Sequence, residues 1–281
     1  MNKVLQVALV SVLALNFAVS AQGKASKNQE ITVVSREESS GTRGAFDELM
    51  KVSDGKTNML FREAVIVSST DEVASKVEVD KRAIGYTSLG SITNKVKALS
   101  IDGVAATLDN IKNKSYKVSR PFVLAMEKSV SNPVAADFIK YVMSKEGQEI
   151  VAKRGYVTSG GTESYAASGK SGKLTLSGST SVERVIEQLR EGYVKLNPGV
   201  KVEINYNGSS AGIKDCLGQK SMIAMSSREL KTDEKEKLAD HTFAVDAIAV
   251  IVNRDNQLNG ISSEMVTKIF KGEVRNWNDA K

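Results

Sequence analysis

Ile31-Thr-Val-Val-Ser-Arg-Glu-Glu-Ser-Ser-Gly-Thr-Arg-Gly-Ala-Phe-Asp-Glu-Leu-Met50 changes character twice. Ile31–Val34 is a short apolar run that reads as a strand. The residues up to Gly44 are polar, rich in hydroxyls and glycine, and contain Arg36. Ala45–Met50 then opens a helical pattern. Strand, hydroxyl-rich loop and helix follow one another directly.

Three other segments repeat this order. Leu176-Ser-Gly-Ser-Thr-Ser181 precedes the helix that starts at Val182. Asn207-Gly-Ser-Ser-Ala-Gly212 follows the strand-like run Val200–Tyr206, and Ala224-Met-Ser-Ser-Arg-Glu229 closes another apolar run. Further strand-like runs are Ala64–Val67, Ala83–Thr87, Val118–Ala125, Lys173–Ser177 and Phe243–Val252. Amphipathic stretches lie between them at Thr70–Val77, Pro133–Met143, Val182–Lys195, Asp233–Ala239 and Glu264–Phe270. Such alternation predicts α/β layers with largely parallel sheets. Val182, Ile186, Leu189 and Tyr193 recur at helical spacing and mark a buried face.

The loops share one chemistry. A helix N-terminus carries unpaired backbone N–H groups and a partial positive charge, which favour an anion. Glycine admits close approach of the backbone, and Ser/Thr hydroxyls add donors. An arginine supplies a donor fork that matches a tetrahedral oxyanion. One such loop alone is an ordinary Ser/Thr N-cap. Four of them, one holding Arg36 ahead of Ser40-Gly41-Thr42, point to a shared anion site.

Composition narrows the alternatives. The 281 residues suggest about two domains. With 41% apolar and 26% charged residues the chain is an ordinary globular one. One cysteine, Cys216, and one histidine, His241, leave no disulfide framework and no Cys/His zinc cluster. The net charge of +6 is spread along the chain and aromatics are only 5%, unlike a nucleic-acid groove. Gly169-Lys170-Ser171 lacks the glycine of a phosphate-binding P-loop at position 164, where Ser164 stands. No Gly-x-Ser-x-Gly elbow occurs, His241 reads as solvated and Cys216 as a packed small residue, so catalysis, cofactor and metal are not expected.

Met1-Asn2-Lys3, the apolar run to Val19 and the small residues Val19-Ser20-Ala21 read as a cleaved secretory signal over residues 1–21. No cysteine stands near that cut, so lipid attachment there is excluded. The expectation is an exported protein, periplasmic or extracellular and soluble.

Several strings are similar to the phosphate-binding protein of the bacterial phosphate ABC transporter. They are Val34–Phe46, Leu176–Val182, Gly208-Ser-Ser-Ala-Gly-Ile213, Met225-Ser-Ser-Arg-Glu-Leu230, Ile84–Gly90, Ser119-Arg-Pro-Phe122 and Glu146–Tyr156. The order differs from that family: the segment resembling its beginning, Lys173–Trp277, here follows the one resembling its end. Residues 158–172, small, polar and glycine-rich, read as a flexible linker or long surface loop that joins the two. The chain therefore reads as a circular permutant, natural or engineered.

The resemblance implies a two-lobed periplasmic-binding-protein fold of type II, with a hinge. One lobe would comprise residues 29–128 plus 243–281 and the other residues 129–242, with hinge strands near Pro121–Met126 and Ala244–Val250. It implies reversible capture of inorganic phosphate by a monomer, and its delivery to a membrane permease of an ABC transporter. Carried onto this chain, Thr180, Ser181 and Ser209 donate from one lobe. Ser40, Gly41, Thr42 and the cationic Arg36 donate from the other. Ser227 stands where well-known members have an aspartate that accepts the phosphate proton and repels sulfate. That role passes to Asp246, or else Asp246 braces the hinge; the sequence leaves both open. Binding of sulfate or molybdate, a hydrolase acting on phosphate esters, and an engineered permuted phosphate sensor are the rival readings.

Overall fold

The computed structural model describes residues 29–54 and 57–280. The expected signal over residues 1–21 lies outside them.

Thr32–Arg36 forms β1, Gly41–Leu49 α1, Val65–Val67 β2, Thr70–Val79 α2 and Ala83–Ser88 β3. Short strands β4 (Val96–Ala98) and β5 (Ser100–Ile101) and helix α3 (Leu108–Lys112) follow. The chain then passes along β6 (Ser119–Glu127) to α4 (Pro133–Met143), α5 (Lys145–Lys153) and β7 (Val157–Thr158). The second strand–helix series is β8 (Gly172–Gly178), α6 (Glu183–Leu196), β9 (Val200–Asn205), α7 (Ser209–Leu217) and β10 (Ile223–Ser226). Helix α8 (Thr232–Lys237) leads into the long β11 (Leu238–Asn253), and β12 (Gly260–Ile261) and α9 (Ser263–Phe270) end the regular structure.

The strand order is β2-β1-β3-β11-β6-β10-β8-β9. Each end repeats one arrangement: three parallel strands ordered second, first, third, then an antiparallel strand. The expected largely parallel sheet is therefore mixed. β6 and β11 run in opposite directions between the lobes and pair antiparallel with each other and with the third strand of each series.

Period-two alternation gives each half of the sheet two apolar faces. Val33, Ile84, Tyr86, Ile248 and Val250 pack with Phe46 of α1 and Phe270 of α9. Val34, Ala83, Ala249 and Ile251 face Val73 and Val77 of α2. In the other half, Phe122, Leu124, Leu174 and Leu176 pack on α4 and on Val185, Ile186 and Leu189 of α6. Val123, Ala125 and Ala224 meet Ile213 and Cys216 of α7. Phe243 and Ala244 belong to the second pair of cores and Ala247 to the first, so β11 changes lobes within a few residues. Its pairing with β6 shifts register at that passage, between Thr242 and Ala244.

Helix α8 ends at Lys237, two residues short of the Asp233–Ala239 expectation. Leu238 is fully inside the core and pairs with Glu127, so the sheet claims it. His241 is exposed, on β11.

Residues 159–171 contain no regular element but are tied down. Tyr165 is buried, its hydroxyl donates to Asp137 Oδ2 at 2.7 Å, and Asn197 Nδ2 donates back to it at 2.9 Å. Ser168 and Tyr193 hydroxyls reach the same Asp137 oxygen. Of the two readings of this segment, the structure has the surface loop, docked on α4 and α6.

Candidate anion-binding site

In an open α/β sheet a ligand sits beyond the carboxyl ends of the strands, at the point where successive helices leave to opposite faces. Here α1 and α2 cover opposite faces of the first half, and α6 and α7 opposite faces of the second. The carboxyl ends of β1, β2, β8, β9 and β10 lead into Ser40-Gly41-Thr42, Ser69-Thr70, Ser179-Thr180-Ser181, Gly208-Ser209 and Ser227. These loops meet between the lobes.

Local sequence fixes each loop. Ser40 caps α1 by accepting from Arg43 N at 3.2 Å. Ser69 caps α2 by accepting from Glu72 N, and Ser179 accepts from Ser181 N, both at 3.2 Å. Gly208 precedes α7 at φ 94°, a conformation that suits glycine, and brings the backbone against Ser39 of the opposite lobe.

Two hydroxyl clusters result. In the first, Thr42 Oγ1 and Ser181 Oγ lie 2.6 Å apart, and Thr70 Oγ1 lies 2.9 Å from Ser181 Oγ and 3.1 Å from Thr180 Oγ1. Arg36 Nη1 donates to Thr70 at 3.0 Å. In the second, Ser227 Oγ lies 2.8 Å from Ser179 Oγ and 3.3 Å from Ser209 Oγ, while Ser227 N donates to Ser209 Oγ at 3.1 Å. Gly41 packs directly on this cluster: a Cβ there would come within 2.7 Å of Ser209 Cβ and 2.9 Å of Ser227 Oγ. All these residues except Thr180 are buried.

Eight of the nine residues singled out from sequence thus gather between the lobes. Asp246 stands apart. It lies in β11 opposite Arg120 of β6, accepts from Arg120 Nη2 at 3.1 Å and from Leu89 N at 3.2 Å, and has no hydrogen bond to the hydroxyl clusters. Burial raises its carboxyl to about 6 against the opposing pull of Arg120, and burial likewise lowers the Arg120 guanidinium.

Arg36 is less free than a lone cationic ligand. Glu37 takes its Nε at 2.7 Å and its Nη2 at 2.8 Å, Ser68 O accepts from Nη2 at 3.4 Å, and Thr70 takes Nη1. A guanidinium has five N–H groups, so four have protein partners. Behind it, Arg43 Nη1 donates to the Arg36 carbonyl at 2.9 Å and Arg43 Nε to Asp47 at 3.3 Å. Burial pushes the Asp47 carboxyl up to about 6, with Arg43 opposing.

Thr70, Ser179 and Arg120 were not singled out from sequence. Ser68-Ser69-Thr70 does follow the β2 strand and open a helix, so the same order of elements was present, without a glycine to mark it. Beside the clusters a cleft of about 570 Å³ runs between the lobes, lined among others by Ser40, Ala45, Arg120, Ser210 and Arg228. Across it, Ser210 N donates to Ser39 O at 3.1 Å, and on another rim Arg184 Nη2 meets Asp71 at 3.1 Å. Among the described residues no group of three or more His, Cys, Asp or Glu side chains could hold a metal ion, and no helix is long and apolar enough to cross a membrane. The arrangement offers hydroxyls, helix N-termini and one largely neutralised cation, a donor set for a dehydrated oxyanion.

Comparison with known proteins agrees with this chemistry. The PBP superfamily domain matches residues 17–146 and 163–281. Phosphate-binding protein PstS 2 of Streptococcus agalactiae is 40% identical over 266 residues, 92% of this chain and 91% of that protein. The crystal structure of a phosphate ABC transporter phosphate-binding protein from Streptococcus pneumoniae superposes with a TM-score of 0.73 at 40% identity, covering 90% of this chain and all of that one. Phosphate-binding protein PstS of Borreliella burgdorferi is 35% identical over 105 residues, 37% of this chain and 38% of its own length. The chain belongs to the PstS phosphate-binding protein family, a two-lobed branch of the PBP superfamily.

Proposed function

We propose that the protein binds inorganic phosphate reversibly between its lobes and hands it to the permease of an ABC-type importer. One observation carries this reading: Thr42 and Ser181, from opposite lobes, present their hydroxyls to each other at 2.6 Å, beside Thr70 and its partner Arg36. Hydroxyls that bond across the cleft are the donors an anion takes over when it enters. Closure then removes the anion from water, where charge-assisted hydrogen bonds are stronger. Thr180, Ser181, Ser209, Ser227, Ser40, Gly41, Thr42 and Arg36 form the site, and Thr70 joins them. In this reading the chain is an exported monomer; the names of its relatives, phosphate-binding proteins, support binding of the ligand without turnover.

Two kinds of match support a rearranged order. The streptococcal relative aligns over 91% of its length, whereas the Borreliella one aligns over 38% of its own. A chain permuted relative to the second, and sharing its order with the first, gives such a pair of matches. That favours a natural arrangement over an engineered sensor.

Calorimetric titration of the purified protein with phosphate tests the function. A saturable one-to-one isotherm is expected, and no heat and no competition at millimolar phosphate would overturn it. A second reading, sulfate, has its own support: among the described residues no carboxylate hydrogen-bonds to the hydroxyl clusters, and Ser227 stands where the family resemblance implies an aspartate. A sulfate isotherm as tight as the phosphate one would favour it.

A further inference from the structure

The geometry points to Arg120 as a positioning residue for the anion site: anchored by Asp246 where the lobes join, its guanidinium sets the Ser227 arm. This inference rests on the phosphate reading above. Arg120 and Asp246 are register partners on β6 and β11, the two strands that connect the lobes. Their side chains are 1% and 0% exposed and meet at 3.1 Å. The second Asp246 oxygen accepts from Leu89 N, just beyond β3 in one lobe. The other amino group of Arg120 donates to the Ser227 carbonyl at 3.0 Å, in the opposite lobe. A single line of hydrogen bonds thus runs Leu89–Asp246–Arg120–Ser227 from one lobe to the other.

Stability alone does not account for this pair. Removing two charges from water costs free energy that well-packed apolar residues of the same volume would not incur. Arg120 Nε is moreover buried with no hydrogen-bond partner among the described residues. The guanidinium therefore leaves its Nε unsatisfied while it reaches both Asp246 and the Ser227 carbonyl. What it secures is direction. The residue whose carbonyl it holds also sends its N–H to Ser209 Oγ, and its hydroxyl accepts from Ser179 Oγ. Rotation of that backbone would withdraw the Ser227 hydroxyl from both.

A double-mutant cycle read by phosphate calorimetry tests this with the full chain, Arg120→Met, Ser227→Ala and the double variant. Arg120→Met is expected to weaken binding about tenfold to hundredfold in the wild-type background. In the Ser227→Ala background the same change should cost less than about threefold, because residues acting through one another are not additive. Equal losses in both backgrounds, or no loss in the first, would overturn the proposal. Should Arg120→Met fail to fold, Arg120→Lys enters the same cycle with the same expectation. It keeps a positive charge opposite Asp246 but lacks the fork that also reaches the carbonyl. A wild-type protein without a phosphate isotherm overturns the phosphate reading and this inference with it. Wild-type binding with an additive cycle overturns this inference alone.

Discussion

Thr42 and Ser181 are 139 residues apart in sequence, stand in opposite lobes, and share a 2.6 Å hydrogen bond with no exposure to solvent worth the name. The Ser181 hydroxyl does not depend on Thr42 to be satisfied, because it is also 2.9 Å from Thr70 Oγ1. The pair is therefore a replaceable contact between lobes.

Thr42→Val keeps the shape and removes the hydroxyl. Ser181 retains Thr70, so no buried group is orphaned, and the midpoint of thermal unfolding should move by less than about 3 °C. A phosphate ion loses one charge-assisted bond, about 1.5–3 kcal/mol, or roughly a tenfold to hundredfold weaker affinity. Calorimetry and thermal unfolding on the same preparation check both halves. Unchanged affinity would remove Thr42 from the site.

The Arg184–Asp71 bridge spans the rim with both side chains substantially exposed, 36% and 59%. Exposed pairs contribute little after solvent screening. Arg184→Gln should raise the phosphate dissociation constant no more than about threefold, and the difference from wild type should vanish in 1 M salt. A larger effect that persists at high salt would mean the rim pair, rather than the hydroxyls, holds the lobes shut.

Asp47 gives stability a definite pH dependence. Burial raises its folded value from 3.8 to about 6, and Oδ1 has no hydrogen-bond partner among the described residues. The folded state binds this proton more tightly than the unfolded one. The group's contribution is thus fully present below about pH 4 and lost as pH rises through about 6. The whole effect is at most about 3 kcal/mol. Asp47→Asn keeps an acceptor for Arg43 and cannot ionise. Urea unfolding should give a wild-type minus variant difference that falls between pH 4 and pH 7. A difference that is flat or rises over that range contradicts the assignment.

What the sequence could disclose depended on whether the cause was local. The Ser179–Ser181 and Ser40–Thr42 loops were legible because a strand, a run of hydroxyls and a helix lie side by side in the chain. Thr70 follows the same plan but looks like any cap, since only the fold brings it against Ser181, 111 residues away. The Arg120–Asp246 pair depends on the register of two strands 126 residues apart, which no local pattern encodes. Glu37 stood next to Arg36 in plain view, yet adjacency did not reveal that the carboxylate would occupy the guanidinium fork. In the joining loop, glycine and serine suggested freedom. One residue, Tyr165, reversed that by reaching Asp137, which burial works to raise and the Ser168, Tyr165 and Tyr193 hydroxyls more than offset.

Gly41 offers the sharpest separation of binding from folding. A Cβ at this position would run into the Ser209 hydroxyl and lie 2.7 Å from Ser209 Cβ, both across the cleft. Within its own lobe the glycine sits in the first turn of α1, where alanine is the better helix former. Gly41→Ala should therefore leave each lobe folded, with an unfolding midpoint close to wild type, while the clash holds the lobes apart. Phosphate affinity should fall by about a hundredfold or more, as several donors lose their geometry together. Solution scattering should record no compaction of the variant on adding phosphate. Gly212→Ala makes the contrasting case, because its Cβ would strike the backbone of Ser177 and Gly178 in the same lobe. That variant should lose stability first. If Gly41→Ala binds phosphate normally, the lobes do not need to meet at Gly41 and Ser209 for the anion to be held.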